Sequence, residues 1–309
     1  MFTAVTAPRV AVGPGNSTAT AAAIRAAGGL PVAADAPADA LVWLAPFDPH
    51  GLQAAVKATG ALWVQLPSAG VEPFADASVL DRDRIWTCAK GAYAEPVAEH
   101  ALMLALAGLR SLNARIPARS WGEPAAISLY DAPVTIVGGG GVATCLLQLL
   151  APFRATATVV RRSSRPVPGA ARTLPVQRLP DALPDAQVVF LALALTPQTE
   201  RIIGAAELAA MRSDSWLVNV ARGRHVDTRA LIAALDTDAI SGAALDVTDP
   251  EPLPDGHPLW AHERCIITPH TADTREMTAA LLARRVRINV ARFAAGEQLL
   301  GLVDPVAGY

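Results

Sequence analysis

Three polar residues in the last third of the chain stand where chemistry is most easily supported. Arg222 lies in A-R-G-R, directly after the apolar run W-L-V-N-V. Glu251 lies in L-D-V-T-D-P-E-P after the next strand-like run, and His270 closes I-I-T-P-H after the one beyond. Each follows a predicted strand, and open α/β sheets bind ligands at the carboxyl ends of their strands. An arginine can grip a carboxylate with two parallel hydrogen bonds and polarise a neighbouring carbonyl. A histidine exchanges a proton near neutral pH, and a nearby carboxylate favours its charged form. Singly, Arg222 reads equally well as a loop arginine, Glu251 as a solvated acid and His270 as a structural imidazole. Together, on three strand ends, they suit proton transfer at a carbonyl that adjoins a carboxylate.

A second group of residues predicts what else must bind. The stretch V-T-I-V-G-G-G-G-V-A-T-C-L-L-Q-L-L, from Val134, reads as strand, tight turn and helix. Gly138, Gly140 and Ala143 occupy the positions of G-x-G-x-x-G/A, the pattern that brings a dinucleotide pyrophosphate to a helix amino terminus. A second strand, Thr156 to Val160, follows within one βαβ length, which favours a dinucleotide site over a plain turn. NAD enzymes place Asp or Glu about 20 residues past the glycines, to accept from the ribose 2′-hydroxyl. Here the sequence runs Arg161, Arg162, Ser163, Ser164, Arg165. Guanidinium groups and hydroxyls suit a 2′-phosphate. The expectation is NADP(H) in preference to NAD(H), with NAD(H) still possible; a solvated basic loop is the bland alternative.

The elements that must position these residues alternate. Val10 to Gly13, Ala40 to Ala45, Leu62 to Leu66 and Ile85 to Cys88 read as strands, with helices near Ser17 to Ala27 and Pro49 to Ala58. A long helix is predicted from Glu95, with Pro96 suited to its first turn. Ser111 to Ala132 reads as an irregular connector in which Trp121 could pack on a second subunit. Further strands are expected at Val188 to Leu195, Ser215 to Val220, Ala239 to Leu245 and Cys265 to Thr268. A last helix is expected at Thr274 to Ala294. This alternation predicts an α/β fold with doubly wound parallel sheets.

The 309 residues suffice for two domains, and a net charge of −2 argues against nucleic acid or an anionic membrane as partner. Lys57 and Lys90 are the only lysines, which leaves little scope for Schiff-base chemistry. The amino terminus is expected to carry no leader, and no apolar run approaches the roughly 20 residues of a membrane span. Cys88, Cys145 and Cys265 are widely spaced, without C-x-x-C, as in a cytoplasmic protein with reduced thiols and no metal site. Cys145 is expected to pack rather than react.

N-V-A-R-G, L-D-V-T-D-P-E-P and I-T-P-H, after a glycine fingerprint and Y-A-E-P-V-A-E-H, resemble the D-isomer-specific 2-hydroxyacid dehydrogenase family. The resemblance covers nearly the whole chain and is strongest from Glu95 to Thr274. It implies two Rossmann-like domains with a substrate cleft between them. Residues 1–96 plus 275–309 would form the substrate-binding domain, and 97–274 the dinucleotide-binding domain. It implies that Arg222 holds the carboxylate and carbonyl oxygen of a 2-oxo acid. His270 would be the general acid/base and Glu251 its partner. The N–H groups of Ala69 and Gly70, in S-A-G-V-E, would bind the substrate carboxylate. Gly141 and Val142 would touch the pyrophosphate, Thr196, Val220 and Ala221 would line the cofactor, and Asp246 would approach the nicotinamide carboxamide. Hydride would pass directly between nicotinamide and substrate. A homodimer is also implied.

Two departures shape the expected substrate and cofactor. Arg161 replaces the acidic ribose ligand, and the loop Q-L-P-S-A-G-V-E offers no cation to a second anion. A small unphosphorylated acid such as glyoxylate or hydroxypyruvate fits better than 3-phosphoglycerate. The alternatives are a phosphoglycerate-type dehydrogenase and a cofactor-sensing, corepressor-like interaction protein without turnover.

Overall fold

The computed structural model describes residues 7–308. The first six residues, expected to carry no leader, and Tyr309 lie outside that range. The chain divides into two compact units. One runs to Tyr93 and resumes at Thr274; the other is Ala94–Asp273. The division falls at 93/94 rather than 96/97, and at 273/274 rather than 274/275. The long helix starts at Ala94, so it goes whole with the second unit.

In the first unit, strands β1 (Arg9–Gly13), β2 (Leu30–Ala33), β3 (Ala40–Trp43), β4 (Trp63–Gln65) and β5 (Ile85–Thr87) form a parallel sheet of order β2-β1-β3-β4-β5. The helices α1 (Thr18–Ala26), α2 (Pro49–Thr59) and α3 (Glu72–Asp76) connect them. Their ends follow local chemistry. The Ser17 hydroxyl accepts from Thr20 N at 3.2 Å, and the Asp48 carboxylate accepts from Gly51 N at 2.8 Å ahead of Pro49.

The second unit holds β6 (Pro133–Val137), β7 (Thr156–Arg161), β8 (Arg172–Pro175), β9 (Val188–Leu191), β10 (Trp216–Asn219), β11 (Gly242–Leu245) and β12 (Cys265–Ile267). They form one parallel sheet of order β12-β11-β10-β9-β6-β7-β8. Its helices are α4 (Ala94–Leu109), α5 (Leu112–Arg115), α6 (Gly141–Leu150), α7 (Ala205–Ala210), α8 (Thr228–Asp236) and α9 (Pro258–Ala261). The order reverses between β6 and β9, so the glycine turn after β6 opens at the switch point of a doubly wound sheet. β9, β10 and β11 are buried at every position, as strands covered on both faces must be.

The last helix, α10 (Arg275–Ala294), returns to the first unit and packs on α1. Buried Asn289 anchors it: Nδ2 donates to Gln65 Oε1 at 3.0 Å and Leu300 O at 2.9 Å, while Oδ1 accepts from Leu300 N at 2.8 Å. The Thr87 hydroxyl donates to the same Gln65 oxygen at 2.9 Å and accepts from Trp63 Nε1 at 2.8 Å. The result is a satisfied polar knot beneath the carboxyl ends of β4 and β5.

Two strands escaped the sequence reading. β2 and β8 are sheet edges, short and partly exposed, with polar or proline residues where central strands have apolar runs. β9 ends at Leu191 rather than Leu195. Ala192 donates its N–H to Val137 O at 2.8 Å, and the chain then leaves the sheet. Trp121 is 95% exposed within the second unit, and the connector that carries it includes the short helix α5.

The Trp216 indole, nearly buried, fits a slot between α4 and β11. A Cβ on Gly108 would stand 2.4 Å from the ring, and one on Gly242 would stand 2.5 Å from it. Alanine at 108 gains about 1 kcal/mol in helix propensity but displaces a rigid ring. Gly108→Ala is expected to lower stability by about 2 kcal/mol, read as a lower urea midpoint.

Candidate active site

The site residues of the second unit follow successive strands. Gly138 to Val142 lead from β6 into α6, Arg161 ends β7 with Arg162 and Ser163 just beyond, and Thr196 follows β9. Val220, Ala221 and Arg222 follow β10, Asp246 and Glu251 follow β11, and His270 follows β12. A parallel sheet places all these ends on one edge, which is why residues far apart in sequence meet.

The glycine turn is built of unequal parts. Gly138 has φ +123°, and a Cβ there would lie 2.0 Å from the Ala192 carbonyl oxygen. A Cβ on Gly139 would lie 2.9 Å from Arg161 Cδ, so the Arg161 side chain lies along the turn. Gly140 would meet nothing within 4 Å, and no side chain caps α6. Ala143 is fully buried, the small contact that the third fingerprint position requires. An open backbone cradle at a helix amino terminus, with an arginine beside it, fits a phosphorylated dinucleotide.

Arg222 sits on a turn held by Asn219. The Asn219 amide donates to Arg222 O at 2.9 Å and accepts from Ala221 N at 3.0 Å. Arg222 Nη1 donates to Ala221 O at 2.6 Å. Next to it, a Cβ on Gly223 would lie 1.8 Å from Thr248 O, so the turn packs directly against the backbone that leads to Glu251.

Glu251 and His270 are paired. His270 Nδ1 meets Glu251 Oε1 at 2.6 Å, and Thr248 N donates to the other carboxylate oxygen at 3.4 Å. The hydrogen bond to Glu251 raises the His270 pKa against the opposing effect of burial, and the Glu251 charge adds to it. Burial pushes the Glu251 carboxyl up, yet the hydrogen bond and charge of His270 hold it below its usual value. The Arg222 charge acts on both, favouring ionised Glu251 and disfavouring charged His270. Such a pair favours the charged imidazole, with Nε2 as the atom left to exchange a proton.

His270 has φ +51°, a left-handed conformation that a non-glycine residue holds only when its surroundings enforce it. Its N–H donates to Asp246 O at 2.8 Å, and the buried Asp246 carboxylate binds the flanking residues. Oδ1 accepts from Thr268 Oγ1 at 2.6 Å and Thr271 N at 2.9 Å, and Oδ2 from Ala272 N at 3.1 Å.

In the first unit, Ala69 and Gly70 lie in a braced loop. Tyr93 Oη donates to Pro67 O at 2.5 Å, Ala89 N to Ser68 O at 2.8 Å, and Ser68 Oγ to Gly70 O at 2.7 Å. Ala69 is exposed.

Sequence reading overlooked Asn219, Thr268, His100 and Asp273. The first three stand inside N-V-A-R-G, I-T-P-H and Y-A-E-P-V-A-E-H, where residue type alone does not separate them from structural positions. Burial pushes the Asp273 carboxyl up, while the charges of His270 and Arg222 pull it down. Thiol chemistry has no support, since burial pushes Cys265 up to about 12 and also raises Cys88 and Cys145. Among the described residues no cluster of His, Cys, Asp or Glu could hold a metal ion, and no helix is long and apolar enough to cross a membrane.

Residues 100–272 match the family described as D-isomer specific 2-hydroxyacid dehydrogenase, NAD binding domain. The chain belongs to this family of NAD(P)-dependent oxidoreductases acting on CH–OH groups. It is 40% identical over 253 residues to a Corynebacterium melassecola protein known only as an uncharacterized protein in the proB 3′ region, covering 80% of this chain and 83% of that one. It is 32% identical over 176 residues to glyoxylate/hydroxypyruvate reductase A of Yersinia enterocolitica, covering 57% of this chain and 56% of that protein. The fold superposes on a D-isomer specific 2-hydroxyacid dehydrogenase from Xanthobacter autotrophicus Py2, solved with NADPH and MES. The TM-score is 0.83 at 26% identity, over 98% of this chain and 100% of that one.

Because the Glu251 hydrogen bond is the largest influence raising the His270 pKa, Glu251→Gln is expected to move the His270 titration to lower pH. NMR of the imidazole C–H protons reads this directly. An unmoved midpoint would mean that the pair carries no weight in solution.

Proposed function

We propose that this chain is an NADP(H)-preferring reductase of a small, unphosphorylated 2-oxo acid of the glyoxylate or hydroxypyruvate type. The observation that carries the reading is the 2.6 Å Glu251–His270 pair, set beside Arg222 at neighbouring strand ends. In the reductive direction the Arg222 guanidinium grips the substrate carboxylate and the carbonyl oxygen, drawing electron density from the carbonyl carbon. His270 gives the Nε2 proton to that oxygen, while Glu251 stays ionised on Nδ1 and stabilises the charged imidazole until then. In reverse, neutral His270 takes the hydroxyl proton at Nε2. By the family resemblance, the N–H groups of Ala69 and Gly70 would be further donors to a substrate carboxylate.

Gly138, Gly140, Gly141 and Val142 would hold the pyrophosphate of the dinucleotide, and Arg161, Arg162 and Ser163 its 2′-phosphate. Thr196, Val220 and Ala221 would line the rest, with Asp246 reaching the carboxamide through the Oδ2 side of its carboxylate. When bound in reduced form, this cofactor supplies the hydride. Support for NADP(H) comes from Arg161 against the glycine turn and from the NADPH bound by the Xanthobacter relative. Support for the substrate comes from the Yersinia reductase and from a carboxylate-binding loop without a second cation. A cytoplasmic homodimer accords with the free thiols and with exposed Ile116 and Trp121 on the connector.

NADPH and NADH oxidation, run in parallel with glyoxylate, hydroxypyruvate, pyruvate and phenylpyruvate, tests the reading. NADPH-favoured turnover of one of the first two is expected; binding without turnover of any would overturn it. Arg161→Ala is expected to raise KM for NADPH about tenfold, the size of one charge-assisted contact, and to leave KM for NADH nearly unchanged. Arg222→Ala is expected to lower kcat/KM by about 100-fold, with cofactor binding preserved.

A further inference from the structure

Behind the Glu251–His270 pair lies a second imidazole–carboxylate contact that the proposed proton transfer does not use. His100, on α4, places Nε2 3.0 Å from Thr268 Oγ1 and 3.2 Å from Asp246 Oδ1. The roles of the atoms follow from counting hydrogens. The single Thr268 hydroxyl hydrogen goes to Asp246 Oδ1 at 2.6 Å, and an ionised carboxylate only accepts. Nε2 of His100 therefore carries a hydrogen and donates it, shared between the hydroxyl and the carboxylate. The donors aimed at Asp246 hold its carboxyl below the usual range in spite of burial.

We propose that His100 is a positioning residue for the reaction, acting on His270 through Thr268 and Asp246. Asp246 is the only residue bonded to both sides of the His270 turn among the contacts of that loop described above. It takes Thr268 Oγ1 from the residues before it and the N–H groups of Thr271 and Ala272 from those after it. Its own carbonyl oxygen takes the His270 N–H. The left-handed backbone at His270 is thus held by main-chain bonds to Asp246 and Thr268 and by the Asp246 carboxylate on the flanking residues, and the His100 donor fixes where that carboxylate and the Thr268 hydroxyl sit. Without it, the Thr268 rotor and the Asp246 carboxylate are free to turn. The His270 ring then loses its set direction toward Glu251. Glu251, Arg222, Asp246 and Asp273 are the charged groups that act on His270, and of these only Asp246 is in contact with His100.

The proposal rests on His270 being the proton donor, so its test has one readout that needs no turnover. His100→Leu keeps bulk and removes the donor; His100→Gln restores an N–H of similar reach. In His100→Leu, kcat is expected to fall about tenfold, the size of one charge-assisted hydrogen bond. The His270 NMR titration is expected to move to lower pH as its contact with Glu251 loosens. His100→Gln is expected to recover most of both effects. Wild-type kcat with an unmoved His270 titration in His100→Leu overturns the proposal. So does a loss of kcat that His100→Gln fails to recover while the titration stays put, because that pattern is packing damage. If the wild type reduces no 2-oxo acid, the reductase reading fails alone, and the His270 titration still decides the role of His100.

Discussion

The site depends on a carboxylate that the fold removes from water. An ionised group buried without partners is strongly unfavourable, so the chain around Asp246 must deliver donors to it or the region does not form. The donors come from the loop that follows β12: a hydroxyl and two backbone N–H groups, in addition to the imidazole on α4. Satisfying that charge fixes the loop, and the loop contains His270 in a conformation it would not otherwise keep. The pair with Glu251, partly open to solvent, is then the visible end of an arrangement whose energetic reason lies beneath it. Desolvation acts twice, forcing the loop to close on Asp246 and making each bond so formed stronger than it would be in water.

Sheet topology converts this local order into a site. In a parallel sheet all carboxyl ends face one way, so Arg222, Glu251 and His270 need only follow β10, β11 and β12 to become neighbours. Side-chain reach alone would leave the arrangement loose. Asn219 ties the Arg222 turn from within, and Gly223 lets that turn press on the Thr248 carbonyl just ahead of Glu251. Backbone contact between adjacent loops, available here because no Cβ intervenes at Gly223, ties the ends of β10 and β11 together.

Much of this was legible in the sequence, for identifiable reasons. Central strands announce themselves because burial on both faces demands apolar runs, as in V-V-F-L and the W-L-V that precedes Asn219. Motif residues announce themselves because charged groups at strand ends are conspicuous. What stayed hidden was whatever depends on partners rather than on composition. β2 and β8 are strands only because β1 and β7 offer open edges. His100 is separated from Thr268 by 168 positions, and nothing in A-E-H-A-L-M says that its ring faces a hydroxyl. The end of β9 at Leu191 likewise follows from Ala192 turning onto the glycine loop, not from any break in hydrophobicity.

The four glycines after β6 show how far steric reasoning can carry a functional argument. Gly138 is required by the protein itself, since its φ and the Ala192 carbonyl both exclude a side chain. At Gly139 a Cβ would crowd the Arg161 side chain, which lies along the turn. Gly140 answers to neither constraint. Its φ of −93° and ψ of −161° suit any residue, and a Cβ there would meet open space. Neither conformation nor packing within the chain accounts for glycine at this position. Close approach by something outside the chain does, and the adjoining start of α6 presents backbone donors without a side-chain cap. An anionic group drawn to those donors would lie against Gly140, with the Arg161 side chain alongside the turn to meet a further negative charge.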